Sequence, residues 1–189
     1  MNPAFRLLLL FAAATLAACA QVPAHDEATA TREAGIAAAN PLAVDAGLEI
    51  LAAGGSAADA AVAVQAMLGL IEPQSSGLGG GAFLLYYDAA TGAITAFDGR
   101  EVAPAGATPG MFLDENGEPL SYDDAVLSGR STGVPAAIAM LGAAHARHGA
   151  LPWQRLFDPA IRAAESGFTV PQRLARFANS MVPQAPEPD

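Results

Sequence analysis

The sequence contains no lysine, and its nine basic residues are all arginine. Against them stand 19 Asp and Glu residues, which gives a net charge of -10 at pH 7. A nucleic-acid partner requires a basic surface that offsets phosphate charge, so this composition argues against one. The absence of lysine also excludes a phosphate-binding loop of the Walker type, which depends on that side chain. The acidic residues are expected mainly to form a solvated surface.

Cysteine is nearly absent as well, since Cys19 is the only one in the chain and has no disulfide partner within it. It follows an N-terminal segment with one positive charge, Arg6, and an apolar run from Leu7 to Ala18. This run is too short to cross a bilayer as a helix. A charged start followed by a short apolar run is typical of a secretory signal. Residues 1–18 are therefore predicted to direct export from the cytoplasm.

The end of this segment carries a more specific pattern. Leu16-Ala17-Ala18-Cys19 resembles the lipobox of bacterial lipoproteins, in which the cysteine is lipidated and becomes the mature N-terminus. Cys19 is thus predicted to be a lipidation site, and the protein a periplasmic lipoprotein that meets the membrane only through this anchor. The alternative is an ordinary signal peptide cut near Ala18 or Ala20, which predicts export without an anchor.

The remaining chain is rich in apolar residues and poor in charge. With 52% hydrophobic and 15% charged residues in 189, it is predicted to form one folded domain with a core. Residues 19–39 mix small and charged residues without a sustained period and are predicted to form a tether. Residues 40–180 are predicted to form the folded part, and the proline-rich residues 181–189 a loose tail.

The folded part begins with two predicted helices. The first has Asn40 as its N-cap, Pro41 in its first turn and Gly54-Gly55 as its stop signal. Its large apolar side chains fall on one face, which comprises Val44, Leu48 and Leu51. The second helix follows Ser56, with Asp59 as the acidic half of a capping box. Residues 57–71 are apolar nearly all round, which predicts a buried helix.

The later segments complete an α+β prediction that is mostly helical. The short apolar runs at residues 82–88 and 92–99 are separated by a turn-like stretch and predict a β-hairpin. Three further helices, broken by glycine and proline, are predicted within residues 134–149, 152–167 and 171–180.

A glycine-rich stretch precedes the predicted hairpin. Gly77, Gly79 and Ala82 fit the pattern G-x-G-x-x-A, and Asp98 lies near the position of a ribose-binding acid in dinucleotide sites. That fingerprint needs a strand before it and a helix after it, whereas here a predicted helix precedes the glycines and a strand follows. The glycines are therefore interpreted as structural, allowing the chain to pass close to neighbouring backbone.

Several stretches together resemble the N-terminal part of gamma-glutamyltranspeptidases and of the related cephalosporin acylases. The resemblance runs from about residue 40 to 178 and rests on "NPLAVDAGLEILAAGGSAADAAVAVQAMLGLIEPQSSGLGGGAFLLYYD", "FDGREVAPAGATPGMF", "SGRSTGVPA" and "HGALPWQRLFDPAIRAAESGF". It implies an N-terminal nucleophile hydrolase fold, an αββα sandwich, of which this chain holds a part. It also implies a precursor that cuts itself into a large and a small subunit, with no cofactor or metal.

The chemistry implied by the resemblance depends on a threonine at the new N-terminus of the small subunit. This threonine is the family's nucleophile, and its own amine can serve as the base. It takes the gamma-glutamyl group from glutathione or a similar amide and passes it to water or an acceptor amino acid. The family's Thr-Thr-His signature is absent from this sequence, so no catalytic residue is assigned here. The eight threonines are Thr15, Thr29, Thr31, Thr91, Thr95, Thr108, Thr132 and Thr169.

Three functions therefore stay open. The first is a gamma-glutamyltranspeptidase-like enzyme of which the sequence is the N-terminal piece, expected to be inactive without its small subunit. The second is a beta-lactam or other amide acylase on the same scaffold. The third is a non-catalytic exported lipoprotein that keeps only the front end of the fold.

Arg100, in "DGREVAP", is the one substrate-binding residue that the resemblance assigns. It matches the family's arginine that binds the alpha-carboxylate of the glutamyl donor. A guanidinium suits this role because it stays charged and can donate two parallel hydrogen bonds to a carboxylate. The alternative is a surface arginine paired with its neighbours Asp98 and Glu101.

Other polar residues are weaker candidates. Ser75 and Ser76 resemble a nucleophile-bearing turn, but the G-x-S-x-G pattern is absent. His145 and His148 are three residues apart on a predicted helix, yet no third metal ligand is evident, which favours a solvated helix end. Arg130, in "SGRSTG", is interpreted as structural.

Overall fold

A computed structural model describes residues 34–181. The predicted signal peptide, Cys19, most of the predicted tether and all but the first residue of the predicted tail (181–189) lie outside this range, so their predictions are not tested by the structure. Within it, the elements in chain order are α1 (Pro41–Ala52), α2 (Ala57–Ile71), α3 (Pro73–Ser76), β1 (Ala82–Asp88), β2 (Ala93–Gly99), α4 (Tyr122–Leu127), α5 (Ala137–His148), a 3-10 helix (Trp153–Phe157), α6 (Asp158–Ser166) and α7 (Gln172–Met181). The predicted α+β class is confirmed.

Helix α1 begins and ends where the sequence indicates. The side chain of Asn40 accepts a hydrogen bond from the N–H of Leu42 at 3.0 Å, and Pro41 occupies the first turn. Beyond the helix, Gly54 has a φ of 89°, a conformation that glycine adopts without strain. The cap and the stop signal are therefore confirmed.

The buried face of α1 differs from the predicted one. Its buried residues are Ala43, Ala46, Gly47 and Ile50, whereas Leu48 is exposed and Val44 and Leu51 are half-buried. A Cβ atom on Gly47 would lie 2.7 Å from Cγ2 of Val64 on α2 and still closer to Ile36. Small residues thus let the two helices approach closely, so size rather than hydrophobicity selects this face.

Helix α2 is the centre of the fold. Its capping box is complete, because Ser56 N–H donates to Asp59 Oδ2 at 2.9 Å and Asp59 N–H donates to Ser56 Oγ at 3.1 Å. It packs against α1, α5, the 3-10 helix and α6. One cluster of its core joins Val62 to Ile50, Met140, Leu141 and Leu156, and a second joins Met67 and Ile71 to Ala43 and Ala46. The prediction of a buried helix is confirmed.

The predicted β-hairpin is present as an antiparallel pair that runs from Ala82 opposite Gly99 to Asp88 opposite Ala93. Gly92, at the turn, has a φ of 71°. Leu84 and Phe97 point toward the core, and both strands contact α5. The other face of the hairpin presents large apolar side chains to solvent, namely Phe83, Leu85, Tyr87 and Ile94. The hairpin is therefore apolar on both faces and covered on one.

The three predicted C-terminal helices correspond to α5, to the 3-10 helix that continues into α6, and to α7. The structure adds two short helices, α3 and α4, that the sequence interpretation did not identify. Among the helices of residues 34–181, none combines the length and the apolar character needed to cross a membrane.

Candidate functional site

A cleft of about 580 Å³ lies beside the end of strand β2. We call it the Arg100 cleft. Its walls come from the glycine-rich stretch, the segment after β2, and two parts of the region between β2 and α5. The lining residues are Gly79, Arg100, Glu101, Val102, Ala103, Pro104, Met111, Phe112, Arg130, Ser131, Thr132 and Gly133.

Arg100 reaches this cleft because β2 ends directly before it. Gly99 is buried against α5, where a Cβ atom would lie 2.6 Å from Cβ of Met140. The N–H of Arg100 donates to Oδ1 of Asp98 at 2.9 Å, which fixes the backbone as the strand ends. The side chain of Arg100 remains 72% exposed. Its backbone is thus positioned by the fold while its guanidinium is accessible.

In the part of the chain that the structure describes, one carboxylate lies within ion-pair distance of the Arg100 guanidinium. Its Nε atom lies 3.7 Å from Oε2 of Glu101, which is beyond the usual hydrogen-bond distance of about 2.7–3.2 Å. Asp98 contacts the backbone rather than the side chain. Of the two predicted neighbours, therefore, only Glu101 forms an ion pair with Arg100, and that pair is loose and solvent-exposed.

The glycine-rich stretch packs against Glu101. A Cβ atom on Gly81 would lie 2.8 Å from the backbone nitrogen of Glu101 and would collide with its carboxylate. The carbonyl of Gly80 accepts hydrogen bonds from Ala136 and Ala137 at 3.3 and 3.2 Å. The stretch follows helices α2 and α3 and precedes strand β1. A dinucleotide site needs the reverse order, a strand before the glycines and a helix after them. The interpretation as a close backbone approach is confirmed.

Arg130 also lines the cleft. Its Nη1 atom donates to the carbonyls of Met111 and Leu113 at 3.2 and 3.3 Å. These contacts agree with a structural role, but Arg130 also lines the cleft, which the sequence interpretation missed. No motif or regular spacing in the sequence relates Arg130 to Arg100. The two segments meet through a bridge between Val102 and Val134, in which Val134 N–H donates to Val102 O at 2.9 Å.

The loop that supplies these two carbonyls is held by hydrogen bonds between its own residues. Asp114 accepts hydrogen bonds from the N–H groups of Asn116 and Glu118 at 2.8 and 2.9 Å. The backbone N–H of Glu118, followed by that of Asn116, holds the pKa of the Asp114 carboxyl below its usual value. A bridge between Leu113 and Pro119 completes the turn. The carbonyl of Leu113 therefore belongs to an ordered loop.

The remaining candidates do not assemble into a site. Ser75 accepts a hydrogen bond from Arg173 at 2.9 Å, and Ser76 uses its carbonyl to accept one from Gln65. Neither contact supplies the base that a serine nucleophile needs.

The two histidines have separate partners. His145 Nε2 lies 2.9 Å from the carbonyl of Leu151 and 3.5 Å from Oδ1 of Asp59, and His148 stacks on Tyr86. Both are half-buried, so the predicted solvated helix end is wrong. The reason is that the chain after α5 folds back over His145, while β1 covers His148. Over residues 34–181, no three His, Cys, Asp or Glu side chains are placed to share a metal ion.

Asp59 has a larger role than its capping box indicates. It is fully buried, and its Oδ2 accepts hydrogen bonds from Ala150 at 2.8 Å and Leu151 at 3.1 Å as well as from Ser56. These bonds join the start of α2 to the loop after α5. The sequence pattern revealed only the local bond, since the other two partners are about ninety residues away.

The chain is similar to proteins of one family. The family model described as gamma-glutamyltranspeptidase matches residues 43–187. The glutathione hydrolase proenzyme of Bacillus subtilis (strain 168) is 45% identical over 140 residues, which is 74% of this chain and 24% of that protein. The chain thus spans about a quarter of the length of this curated relative.

Two solved structures share its architecture. A gamma-glutamyltranspeptidase from Pseudomonas nitroreducens, complexed with L-DON, is similar with a TM-score of 0.74 and 34% identity, covering 81% of this chain and 45% of that one. A cephalosporin acylase from Bacillus halodurans is similar with a TM-score of 0.61 and 30% identity, covering 77% of this chain and 26% of that one.

Proposed function

Because the chain belongs to the gamma-glutamyltranspeptidase family, we propose that it is the N-terminal part of a gamma-glutamyltransferase or glutathione hydrolase. Its fold is part of the N-terminal nucleophile hydrolase fold of the structural neighbours. The complete enzyme would transfer the gamma-glutamyl group of glutathione or a similar amide to water or to an amino acid. The catalytic threonine would come from a small subunit made from the same precursor.

The observation that carries this proposal is the position of Arg100 in the cleft. Its side chain is exposed, its backbone is fixed, and its only ion pair within residues 34–181 is a loose one with Glu101. A carboxylate ligand could replace that pair with two shorter, parallel hydrogen bonds, which is the geometry that a guanidinium favours. The cleft volume of about 580 Å³ is also within the usual range for small-molecule sites.

In the proposed reaction Arg100 holds the alpha-carboxylate of the donor and takes no part in bond making. This contact orients the gamma-carbonyl toward the threonine hydroxyl of the small subunit. The hydroxyl oxygen attacks the carbonyl carbon while the threonine amine accepts its proton. The C–N bond then breaks, the leaving amine takes up the proton, and a gamma-glutamyl ester remains on the threonine. Water or an acceptor amine releases the product from this ester.

The acylase is the second candidate, favoured by the likeness to the cephalosporin acylase of Bacillus halodurans. A carboxylate on an acyl group could bind Arg100 in the same way, so the cleft alone does not separate the two activities. A non-catalytic lipoprotein is the third candidate. An in-frame Thr-Thr-His codon run downstream of residue 189 would support an enzyme, and a stop codon at that point in the native gene would support the lipoprotein.

The test is to assay the complete product of the native gene against two substrates. We expect it to release a chromogenic amine from a gamma-glutamyl anilide, and the 189-residue chain alone to release none above the buffer control. Release of the side chain from a cephalosporin, with no turnover of the anilide, would favour the acylase instead. Activity of the 189-residue chain by itself would show that the nucleophile lies within it.

We also propose that the protein is exported and anchored through a lipid on Cys19. This proposal rests on the sequence of residues 1–19 alone. A charged start, a short apolar run and a lipobox-like end are its supporting features.

A further inference from the structure

The Arg100 cleft contains a second guanidinium, that of Arg130. Two features make Arg130 more than a loop support. Its Nη1 atom alone bonds to the carbonyls of Met111 and Leu113, so the guanidinium is oriented while its remaining N–H groups are available. In addition, within residues 34–181 no carboxylate lies within ion-pair distance of Arg130. An oriented arginine without a counter-ion is suited to bind an anionic ligand.

The charge of the cleft points in the same direction. Among its lining residues, Arg100 and Arg130 are positive and Glu101 is the one acid. The site thus carries excess positive charge on a chain whose net charge is -10. A cleft with one net positive charge favours an anionic ligand, and when that ligand's carboxylate occupies Arg100, Arg130 remains to bind a further anionic group.

The two arginines of the cleft come from different segments of the chain. Val102 and Val134 pair in an antiparallel bridge, with Arg100 before the bridge on one segment and Arg130 before it on the other. Arg100 and Arg130 thus enter the same cleft on separate backbone segments, and each can bind its own anionic group of one ligand.

We propose that Arg130 determines substrate specificity by binding a second carboxylate of the donor, on the side of the leaving amine. This inference rests on the proposed function, in which Arg100 binds the alpha-carboxylate. Gamma-glutamyl peptides carry such a second carboxylate at their C-terminus, whereas simple gamma-glutamyl amides and anilides do not. The cleft therefore prefers gamma-glutamyl peptides as donors.

The test uses the complete enzyme and two substrates of nearly equal size, gamma-glutamylglycine and gamma-glutamylglycinamide, which differ by the charge of the terminal group. Hydrolysis is measured without an acceptor amino acid, so that no second carboxylate competes. In Arg130→Gln we expect kcat/KM for gamma-glutamylglycine to fall about tenfold to a hundredfold, mainly through KM. For the glycinamide we expect a change of less than about threefold. Arg130→Lys should recover part of the preference, since it keeps the charge but loses the planar geometry.

Arg162→Gln is the matched control, because it removes the same charge on α6, where Arg162 pairs with Glu49 at 2.6 Å. It should leave the preference between the two substrates unchanged. An equal loss with both substrates in Arg130→Gln would overturn the inference, since it would indicate support of the loop only. An unchanged preference would overturn it as well. If the wild-type enzyme hydrolyses neither compound, the proposed function fails and this inference fails with it.

Discussion

Arg100 combines a fixed backbone with a free side chain. The N–H of the residue is bonded to Asp98, and the preceding Gly99 is packed against Met140, so the Cα atom has little freedom. The side chain, by contrast, is 72% exposed. Fixing the backbone reduces the conformational entropy that is lost when a ligand orders the side chain. This arrangement is what a carboxylate-binding residue requires.

We predict that Arg100→Ala in the complete enzyme lowers kcat/KM for gamma-glutamyl donors about tenfold to a few hundredfold. The loss should lie mainly in KM, because the alpha-carboxylate is held alike in the ground and transition states. Arg100→Lys should recover only part of it, since an ammonium cannot donate two parallel hydrogen bonds. Steady-state kinetics measures these effects, and normal cleavage of the precursor is the control for folding. A fully cleaved Ala variant with wild-type kcat/KM would show that Arg100 is only a surface residue.

Asp59 joins helix α2 to the loop after α5. It accepts hydrogen bonds from three backbone N–H groups, and it has no exposed surface. Removing a buried acceptor leaves its donors without partners, which costs more than the hydrogen bonds contribute when they are intact.

We predict that Asp59→Ala lowers the free energy of unfolding of the complete enzyme by about 3 kcal/mol or more. The matched control is Asp124→Ala, because Asp124 occupies the same capping position behind Ser121 on α4 but is exposed. It should cost about 1 kcal/mol or less. Denaturant unfolding followed by tryptophan fluorescence measures both values. Similar small losses in the two variants would mean that the bonds to Ala150 and Leu151 contribute little.

At the scale of elements, the sequence patterns that predicted the structure correctly are local. The cap of α1, the capping box of α2 and the hairpin each depend on residues within a few positions of one another, so the sequence predicts them. The buried face of α1 was predicted wrongly because Gly47 packs against Val64, a contact that hydrophobic periodicity does not contain.

The cleft could be predicted only in part. Arg100 was assigned through a motif that resembles a family, and it does line the cleft, whereas Arg130, which also lines it, was interpreted as structural only. The Val102–Val134 bridge brings its segment there across thirty-two positions of the chain. Local patterns cannot report such a long-range contact, because its formation depends on the folding of the whole region between β2 and α5.

The contact between the glycine-rich stretch and the segment after β2 gives a prediction at this scale. Gly81→Ala should force the backbone of Glu101 away from the start of β1, since the new Cβ atom would lie 2.8 Å from a backbone nitrogen. We expect a loss of about 1–3 kcal/mol in the free energy of unfolding and a raised KM for the donor. Gly79→Ala, in the same stretch, places its Cβ atom in open space and should change the free energy of unfolding by less than about 0.5 kcal/mol. Equal effects of the two variants would contradict the proposed packing.

At the scale of the whole molecule, the predicted lipid anchor determines where the protein is found. If Cys19 is lipidated, the mature protein should sediment with bacterial membranes after cell lysis. Cys19→Ser should release it into the soluble fraction or block its processing. Fractionation and metabolic labelling with a fatty acid analogue measure both outcomes. A wild-type protein that is wholly soluble and unlabelled would leave the ordinary signal peptide as the correct interpretation.

The outer face of the hairpin is an apolar surface that the described residues leave uncovered. Phe83, Leu85, Tyr87 and Ile94 are all exposed there, although strands that face water on one side normally alternate apolar with polar residues. An apolar face of this kind is typical of a surface that packs against another layer. In the proposed complete enzyme, a further layer of the sandwich fold would cover this face.

We therefore predict that residues 19–189, expressed alone, bind a hydrophobic dye strongly and self-associate. Replacing Leu85 and Ile94 together by threonine should lower dye binding, because threonine keeps the β-propensity and removes most of the apolar surface. Tyr122→Ser, which changes an exposed side chain outside the hairpin, is the control and should have little effect. In the complete enzyme the double variant should lower the free energy of unfolding, since the same face would then be buried. A monodisperse chain that melts cooperatively and binds no dye would show that this face needs no covering layer.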